Sequence, residues 1–537
     1  MARTYRDVGI ACLLAFGGLW LACSSVLQSG FARVPGGAGD VRLINYLLEH
    51  GYLWLTGHPA HAQLWNAPFF FPLSNVTAFT ETFFGAAPLY WWPRSLGASP
   101  AVALDLWLIQ LLLLDFLSFA YFARRTLQVS WLSASAGAYL FTYANIRLVQ
   151  IGHMQLCPHF FAVIAVHGLW KMASPTQSLS RGLVWFVCGT VGEFYAGFYL
   201  GWFWALSLSI AFVVGFVLPS TRASMIAFVR RLFTPATAVA GAAALILLMP
   251  LAQHYFAAGR ELGLRPFSEV AGMIPRWRSW LDFGPEHWLY GRLWVHAAAL
   301  ENESEHRIGL GLATMAAVGL GFWRVRHRPA FQLMAVSSLC LVLLALSVRG
   351  YTPWKAIFDF FPAAGAIRAV SRVAIHLLLP AAVGLAMATE ALVISRRWIL
   401  FSAVLVVVAA EQVSPRPADA WAPVVANEVL LQNKVEQAAA GASCRAFLYT
   451  PSPASCSADE PWIVRHSRAV NAHLDAMWAS NRTDIPTLNG YSGTLPPRYP
   501  FWGLSYCGPE DDARIKAMIA GWCLSHGCRP SSVCWIR

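Results

Sequence analysis

The chain has 537 residues, of which 57% are hydrophobic and 12% charged, against about 25% charged in a soluble domain. With a mean hydropathy of +0.50, that excludes an ordinary globular enzyme and indicates a membrane protein. The net charge of +12 would suggest nucleic acid in a soluble chain. No basic run, zinc-ligand spacing or RNA-binding aromatic motif is present, so the arginines read as membrane-loop residues and no nucleic-acid partner is expected.

Residues 1–28 resemble a signal peptide in outline. Their apolar stretch, 8–27, is longer than a signal h-region and no Ala-x-Ala site follows, so it reads as a retained first helix. About 20 apolar residues span a bilayer. Runs that suit a crossing, some of them short, lie at 8–27, 101–122, 130–146, 157–172, 182–196, 199–218, 236–256, 308–323, 330–348, 374–394 and 398–414, giving about eleven transmembrane helices. As one helix, 182–218 would reach roughly 55 Å at 1.5 Å per residue, too long for one crossing. The break "GEFYAGFYLG", with Gly192, Gly197 and Gly201, suits a turn between two spans.

Charge orients these spans. Arg3 and Arg6, Arg124 and Arg125, Lys171 with Arg181, Arg222 with Arg230 and Arg231, Arg324, Arg326 and Arg328, and Arg396 with Arg397 sit in every second connection. These are expected on the cytoplasmic side, with the N-terminus inside and the C-terminus outside. The other connections include two long outer loops, 29–100 and 257–306. They hold most of the acids that precede the tail, among them Asp40, Glu49, Glu81, Glu269, Glu301, Glu303 and Glu305. The first loop carries "VRLINYLLEHGYLWL" at helical spacing and an aromatic-rich stretch, and reads as interfacial helices.

From about 415 the composition changes. "SPRPADAWAP" reads as a linker, and the remainder as a small polar domain. The expected division is therefore a transmembrane domain over 1–414 and an extracytoplasmic, disulfide-stapled α+β domain over 415–537. Six of the eleven cysteines crowd this tail: Cys444, Cys456, Cys507, Cys523, Cys528 and Cys534. An even, dense set favours disulfides, with 15 pairings open. No Cys-x-x-Cys pair supports zinc instead.

Several polar groups stand where a membrane chain would place chemistry. Asp40, in "GGAGDVRLINYLLEHGY", reads either as the N-cap of a helix starting near Val41 or as a general base at the membrane surface. Glu81 is a second acid in the same loop, otherwise a solvated carboxylate. In "FTYANIRLVQIGHMQLCPHFF", Arg147, Gln150 and His153 gather at the outer end of two spans, as a hydrogen-bonding wall or as a snorkelling arginine. Glu193 lies near membrane depth, where acids usually mark a pathway or site. Asp105 and Asp115 read as interior, bonded residues. In "FDFFPAAGAIRAVSRVAIHLLLP", Arg368 and Arg372 are four apart and so expected on one helical face, where two guanidiniums suit a phosphate. No metal ligand set is assigned. A divalent metal is conceivable at Glu301, Glu303 and Glu305, but alternating acids more often form a solvated face, and no cofactor is implied. The "NGYSG" stretch, Asn489 to Gly493, reads as a structural turn.

The order of these pieces resembles the class C (GT-C) integral-membrane glycosyltransferase superfamily, in its poorly characterised bacterial branch. The pieces are "GDVRLINYLLEHGY", "WNAPFFFPLSNVTAFTETFFGAAPLYW", "NIRLVQIGHMQL", "FFPAAGAIRAVSRVA" and "DAMWASNRTDIPTLNGYSGTLPPRYP". The resemblance implies a GT-C-like fold in a bacterial inner membrane. It implies transfer of a sugar from a polyprenyl-phosphate donor to a glycan, lipid or protein acceptor on the periplasmic face. On this reading Asp40 would be the base and Glu81 a second catalytic acid at the cleft, Arg368 and Arg372 would hold the donor phosphate, and Arg147, His153 and Glu193 would line the cleft. The first-loop Asp-x-Asp or Glu-x-Asp pair common in such enzymes is absent, since Asp40 stands alone. The rival expectations are a flippase or transporter of lipid-linked glycans, with polar groups spread through the membrane depth, and a non-catalytic anchor presenting the tail as a binding module.

Overall fold

The computed structural model describes residues 2–292, 300, 302–414, 418–441, 444–452 and 460–537. Those residues are overwhelmingly helical, with four short strands among them. Among the described residues, six helices are long and apolar enough to cross a bilayer: Val8–Gln28, Pro100–Leu127, Met154–Ala173, Phe198–Val217, Pro235–Leu262 and Val370–Ile394. Shorter apolar helices occupy Pro329–Leu344 and Trp398–Glu411. The three remaining apolar runs fall on Trp131–Tyr143, Leu179–Ala196 and Leu312–Arg324. A helix thus stands at each of the eleven runs, while six have the length and apolarity of a full crossing. Trp131–Tyr143 is short and buried from Leu132 to Tyr143, so its apolarity serves protein packing. Pro235–Leu262 is the opposite case: Val239, Leu245, Ile246, Leu247, Met249 and Phe256 are all exposed. An apolar surface of that extent belongs against lipid. The long run 182–218 is divided at Gly197, which is extended between Leu179–Ala196 and Phe198–Val217.

The chain forms two compact units, and the division differs from the expected break near 415. One unit comprises 1–27, 107–250 and 264–416; the other comprises 28–106, 251–263 and 417–537. The first outer loop belongs with the tail because its backbone is hydrogen-bonded into it. Phe70 N–H donates to Asn489 O at 3.0 Å, Phe71 N–H to Thr487 O at 2.9 Å, and Thr487 N–H to Pro68 O at 3.1 Å. The linker residues 415–417 lie outside the described residues.

In the first unit, Phe160–Ala173 packs on Leu179–Ala196 through glycines. A Cβ at Gly189 would overlap the backbone of Ala165, and one at Gly168 that of Phe186. Small residues permit the close backbone approach typical of membrane helices. A second cluster joins Trp202, Phe203 and Leu206 to Leu341, Trp354, Ile367 and Val370. The start of Leu312–Arg324 is closed by Glu411, whose carboxylate accepts from Ala313 N–H at 2.9 Å and from the N–H and hydroxyl of Thr314 at 2.8 and 2.7 Å. A carboxylate there satisfies orphan donors and complements the helix dipole.

In the second unit, Ala446–Tyr449 pairs in parallel with Val533–Ile536. Successive side chains of a strand point to opposite faces, and here each face has a core. Ala446 and Leu448 pack with Ile515, Ile519 and Trp522; Phe447 packs with Leu431, Val435, Ala476 and Ala479. Burying side chains such as Phe447 and Leu448 contributes about 2 kcal/mol each. Disulfides join Cys444 to Cys534 and Cys523 to Cys528, and Cys507 is also disulfide-bonded. Cys456 lies outside the described residues. Of the cysteines in or beside spans, Cys12, Cys157, Cys188 and Cys340 are free thiols.

Candidate functional site

Asp40 belongs to the second unit. The helix carrying it, Ala38–Leu55, begins three residues before Val41, with Gly37 as an extended N-cap that offers no side-chain bond. Asp40 is therefore a first-turn residue and not the cap, a position that still favours a carboxylate through the helix dipole. Its Oδ1 accepts a hydrogen bond from the Tyr491 hydroxyl.

Tyr491 sits in "NGYSG", which does more than turn the chain. Asn489 Oδ1 accepts from Tyr449 N–H at 2.7 Å, and Asn489 Nδ2 donates to Tyr449 O at 3.0 Å. Gly490 N–H donates to His473 Nδ1 at 3.1 Å. Burial lowers the His473 pKa to about 4, so the ring stays neutral and Nδ1 can accept near neutral pH. A Cβ at Gly490 would overlap the Phe70 ring, so only glycine fits there. The Tyr491 ring stacks on Trp502 at 6.1 Å and 18°. Beyond it, the Cβ position of Gly493 lies 3.6 Å from Thr80 Oγ1, next to Glu81, which is buried. The five-residue segment thus reaches the Asp40 carboxylate at one end and the Glu81 strand of chain at the other.

The same helix carries a charged face that sequence reading passed over. Arg42, Asn45 and Glu49 recur at helical spacing and are all buried. Arg42 Nη2 donates to Glu428 Oε1 at 3.0 Å and to Asp475 Oδ1, and Arg482 donates to Glu428 Oε2 at 3.0 Å. Burial raises the pKa of both Glu428 and Asp475, with the Arg42 charge opposing it. Glu49 accepts a fork from Arg94, at 2.8 and 2.7 Å, and a bond from the Tyr90 hydroxyl at 2.8 Å. The available signal was a row of polar residues at 42, 45 and 49, set between apolar positions of the helix.

Arg368 and Arg372 belong to the first unit, and they do not share a helical face. Arg368 lies between two 3-10 turns, Ala364–Ala366 and Val370–Arg372, and regular helix starts at Val373. Tyr199 organises the pair. Its hydroxyl accepts from Arg368 N–H at 2.9 Å and Ala369 N–H at 3.3 Å, and its ring centroid is 5.2 Å from Arg372 Cζ. Arg372 forks onto Glu305, with Nη2 to Oε1 at 2.8 Å and Nε to Oε2 at 3.3 Å. The Arg368 side chain is 41% exposed, 3.9 Å from Glu269, which also pairs with Arg265. Of the two, Arg368 is the accessible guanidinium.

His153 joins this cluster, with Nε2 3.6 Å from Glu305 Oε1, and Gln150 Nε2 donates to Ser304 O at 3.4 Å. Burial alone would raise the Glu305 pKa. The Arg372 charge and the bonds from His153 and Arg372 outweigh it and hold the carboxyl well below its ordinary range. The acidic run is not a solvated face: Glu303 pairs with Arg307, Glu305 with Arg372, and Glu301 lies outside the described residues. Among the described residues, no group of three His, Cys, Asp or Glu is placed to hold a metal ion.

Arg147 and Glu193 are placed apart from any open wall. Arg147 is fully buried; its Nη1 donates to Asp115 Oδ2 and to Cys157 O, each at 2.7 Å. This is neither snorkelling nor cleft lining, because the interior carboxylate of Asp115 holds the guanidinium inside. Glu193 is equally buried, its Oε2 accepting from Ala162 N–H at 2.9 Å and its Oε1 lying 3.6 Å from His159 Nε2.

No family model matches the chain, and no curated protein matches it. Among solved structures, it is similar to the cryo-EM structure of the arabinofuranosyltransferase AftD from Mycobacteria, with a TM-score of 0.49 and 17% identity, over 82% of this chain and 29% of that one. The chain thus spans less than a third of that structure's length.

Proposed function

We propose that the protein is a GT-C-type membrane glycosyltransferase that moves a hexosyl or pentosyl unit from a polyprenyl-phosphate donor to an envelope acceptor. The observation that supports this best is the Asp40–Tyr491 pair in the first turn of the helix that follows the first apolar span. In the proposed step, an acceptor hydroxyl attacks the anomeric carbon and its proton passes to Asp40. The bond from that carbon to the phosphate oxygen breaks, and the polyprenyl phosphate leaves with the electron pair. Tyr491 orients the carboxylate, and Glu81 stands near the same segment. Arg368 binds the donor phosphate, with Arg372 held behind it on Glu305.

With this reading goes a bacterial inner-membrane protein that crosses about eleven times. The N-terminus is cytoplasmic, and the first outer loop and the disulfide-bonded tail are periplasmic, where disulfides persist. The transporter reading loses its best support because Asp115, Arg147, His159 and Glu193 have no exposed side-chain surface and so line no path.

The test is transfer of labelled sugar by Asp40→Asn. A general base contributes about 10²- to 10⁴-fold, and a loss of that size is expected. Retained transfer removes the mechanism, and lost export of a lipid-linked glycan with intact transfer chemistry favours a transporter.

A further inference from the structure

The second unit contains a cleft that the transfer site does not use. It has a volume of about 300 Å³ and is lined by Arg42, Asp419, Asn427, Asn471 and Asp475, with an apolar strip from Ala420, Pro423 and Val424. Three elements frame it. The helices Trp421–Gly441 and Trp462–Thr483 supply the walls, and the strand Ala418–Ala420, paired antiparallel with Arg33–Pro35, supplies the end. Arg42 forms the floor. Asn471 and Asp475 are four apart and so share a helical face. Arg42 lies two residues from Asp40, about 200° around the helix, so the cleft and the Asp40 carboxylate face different sides of Ala38–Leu55.

The lining selects a ligand class. Ligand pockets run from about 300 to 1,000 Å³ and combine apolar surface with a few placed polar groups, so the volume suits a short chain of sugar rings. Asn427 and Asn471 are exposed, and each amide offers donors and an acceptor. Asp419 and Asp475 are acceptors for hydroxyl donors. The buried Arg42 has its Nε without a hydrogen-bond partner. Arg42 is already paired with Glu428 and Asp475, so it offers an anion no free charge, while the two aspartates repel one. An uncharged, hydroxyl-rich ligand avoids that penalty, and its C–H face matches Ala420, Pro423 and Val424.

We propose that this cleft binds a neutral saccharide, as a site separate from the one that carries transfer. The site does not depend on Asp40 acting as a base, so it can stand or fall independently of the transfer reading.

The test is binding to the full chain in lipid nanodiscs, since alkyl-glycoside detergents carry the same chemistry. The probes are maltotriose, cellotriose and arabinotriose, with trigalacturonate and chitosan trisaccharide as charged counterparts, read by calorimetry and saturation-transfer NMR. At least one neutral trisaccharide binds saturably. The double substitution Asn427→Leu with Asn471→Leu weakens that binding at least tenfold and leaves the thermal midpoint unchanged, because both side chains are exposed. Asp40→Asn leaves binding unchanged whatever it does to transfer. The proposal is overturned if none of the neutral probes saturates or if the double variant binds as the wild type does. Loss of binding in Asp40→Asn, or tighter binding of a charged counterpart, overturns it equally.

Discussion

The Tyr491 hydroxyl donates to the Asp40 carboxylate across 451 residues of sequence. The donor sits on a segment pinned by Asn489 and by the Gly490 amide. A carboxylate that is to receive a proton from a substrate must be held in one rotamer, and a phenol anchored this way holds it.

Tyr491→Phe is therefore expected to reduce kcat about tenfold, the scale of a lost hydrogen bond to a charged group, while leaving the donor KM unchanged. Gly490→Ala is expected to act through packing, because its Cβ would overlap Phe70; overpacking costs about 1–3 kcal/mol. It should lower both kcat and the thermal midpoint. Unchanged kcat in Tyr491→Phe would show that the contact is structural only.

The two arginines should separate cleanly. Arg368→Ala is expected to raise the KM for a polyprenyl-phosphate donor about tenfold or more with little change in stability, since its side chain is 41% exposed. Arg372→Ala strands Glu305 without its partner, and breaking a buried pair costs about 3 kcal/mol. It should melt early before any kinetic effect can be read. Kinetics and thermal melts of both variants decide this, and the reverse pattern would exchange their roles.

Glu305 makes stability depend on pH. Its carboxyl is held below its ordinary value near 4.5, so its ion pair stabilises the fold fully above that pH, and the contribution is lost as pH falls toward the depressed folded value. Glu305→Gln is expected to cost about 3 kcal/mol at pH 7. The gap from wild type should narrow progressively below about pH 4.5. Melting curves from pH 7 to pH 3 measure it, and a constant gap would contradict the assignment.

The Cys444–Cys534 bridge closes a separation of 90 residues, whereas Cys523–Cys528 closes five. A cross-link over the longer loop stabilises by about 4.6 kcal/mol in the chain-entropy treatment. Replacing Cys444 and Cys534 by Ala should expose the tail to proteolysis far more than replacing Cys523 and Cys528. Equal cleavage rates would show that the longer bridge adds nothing to the strand pair it joins.

Membrane character, the positions of the apolar helices and the division at Gly197 were legible in the sequence, because each depends on local composition and on a length set by the bilayer. The clustering of cysteines in the tail was legible for the same reason. Their pairing was not, since it depends on which strands meet. Arg368 and Arg372 show where local rules fail: four-residue spacing implies one face only if the backbone is helical, and Tyr199 holds that stretch in 3-10 turns instead.

Sequence by itself thus determined that this is a polytopic helical membrane chain with a disulfide-bonded tail, since hydropathy and residue spacing are properties of neighbours along the chain. Only the tertiary structure decided that the first outer loop folds with the tail and that Tyr491 reaches Asp40. It alone placed Arg147 on Asp115 inside the first unit. Those outcomes rest on hydrogen bonds and ion pairs between residues tens to hundreds of positions apart, where no local pattern records which groups will meet.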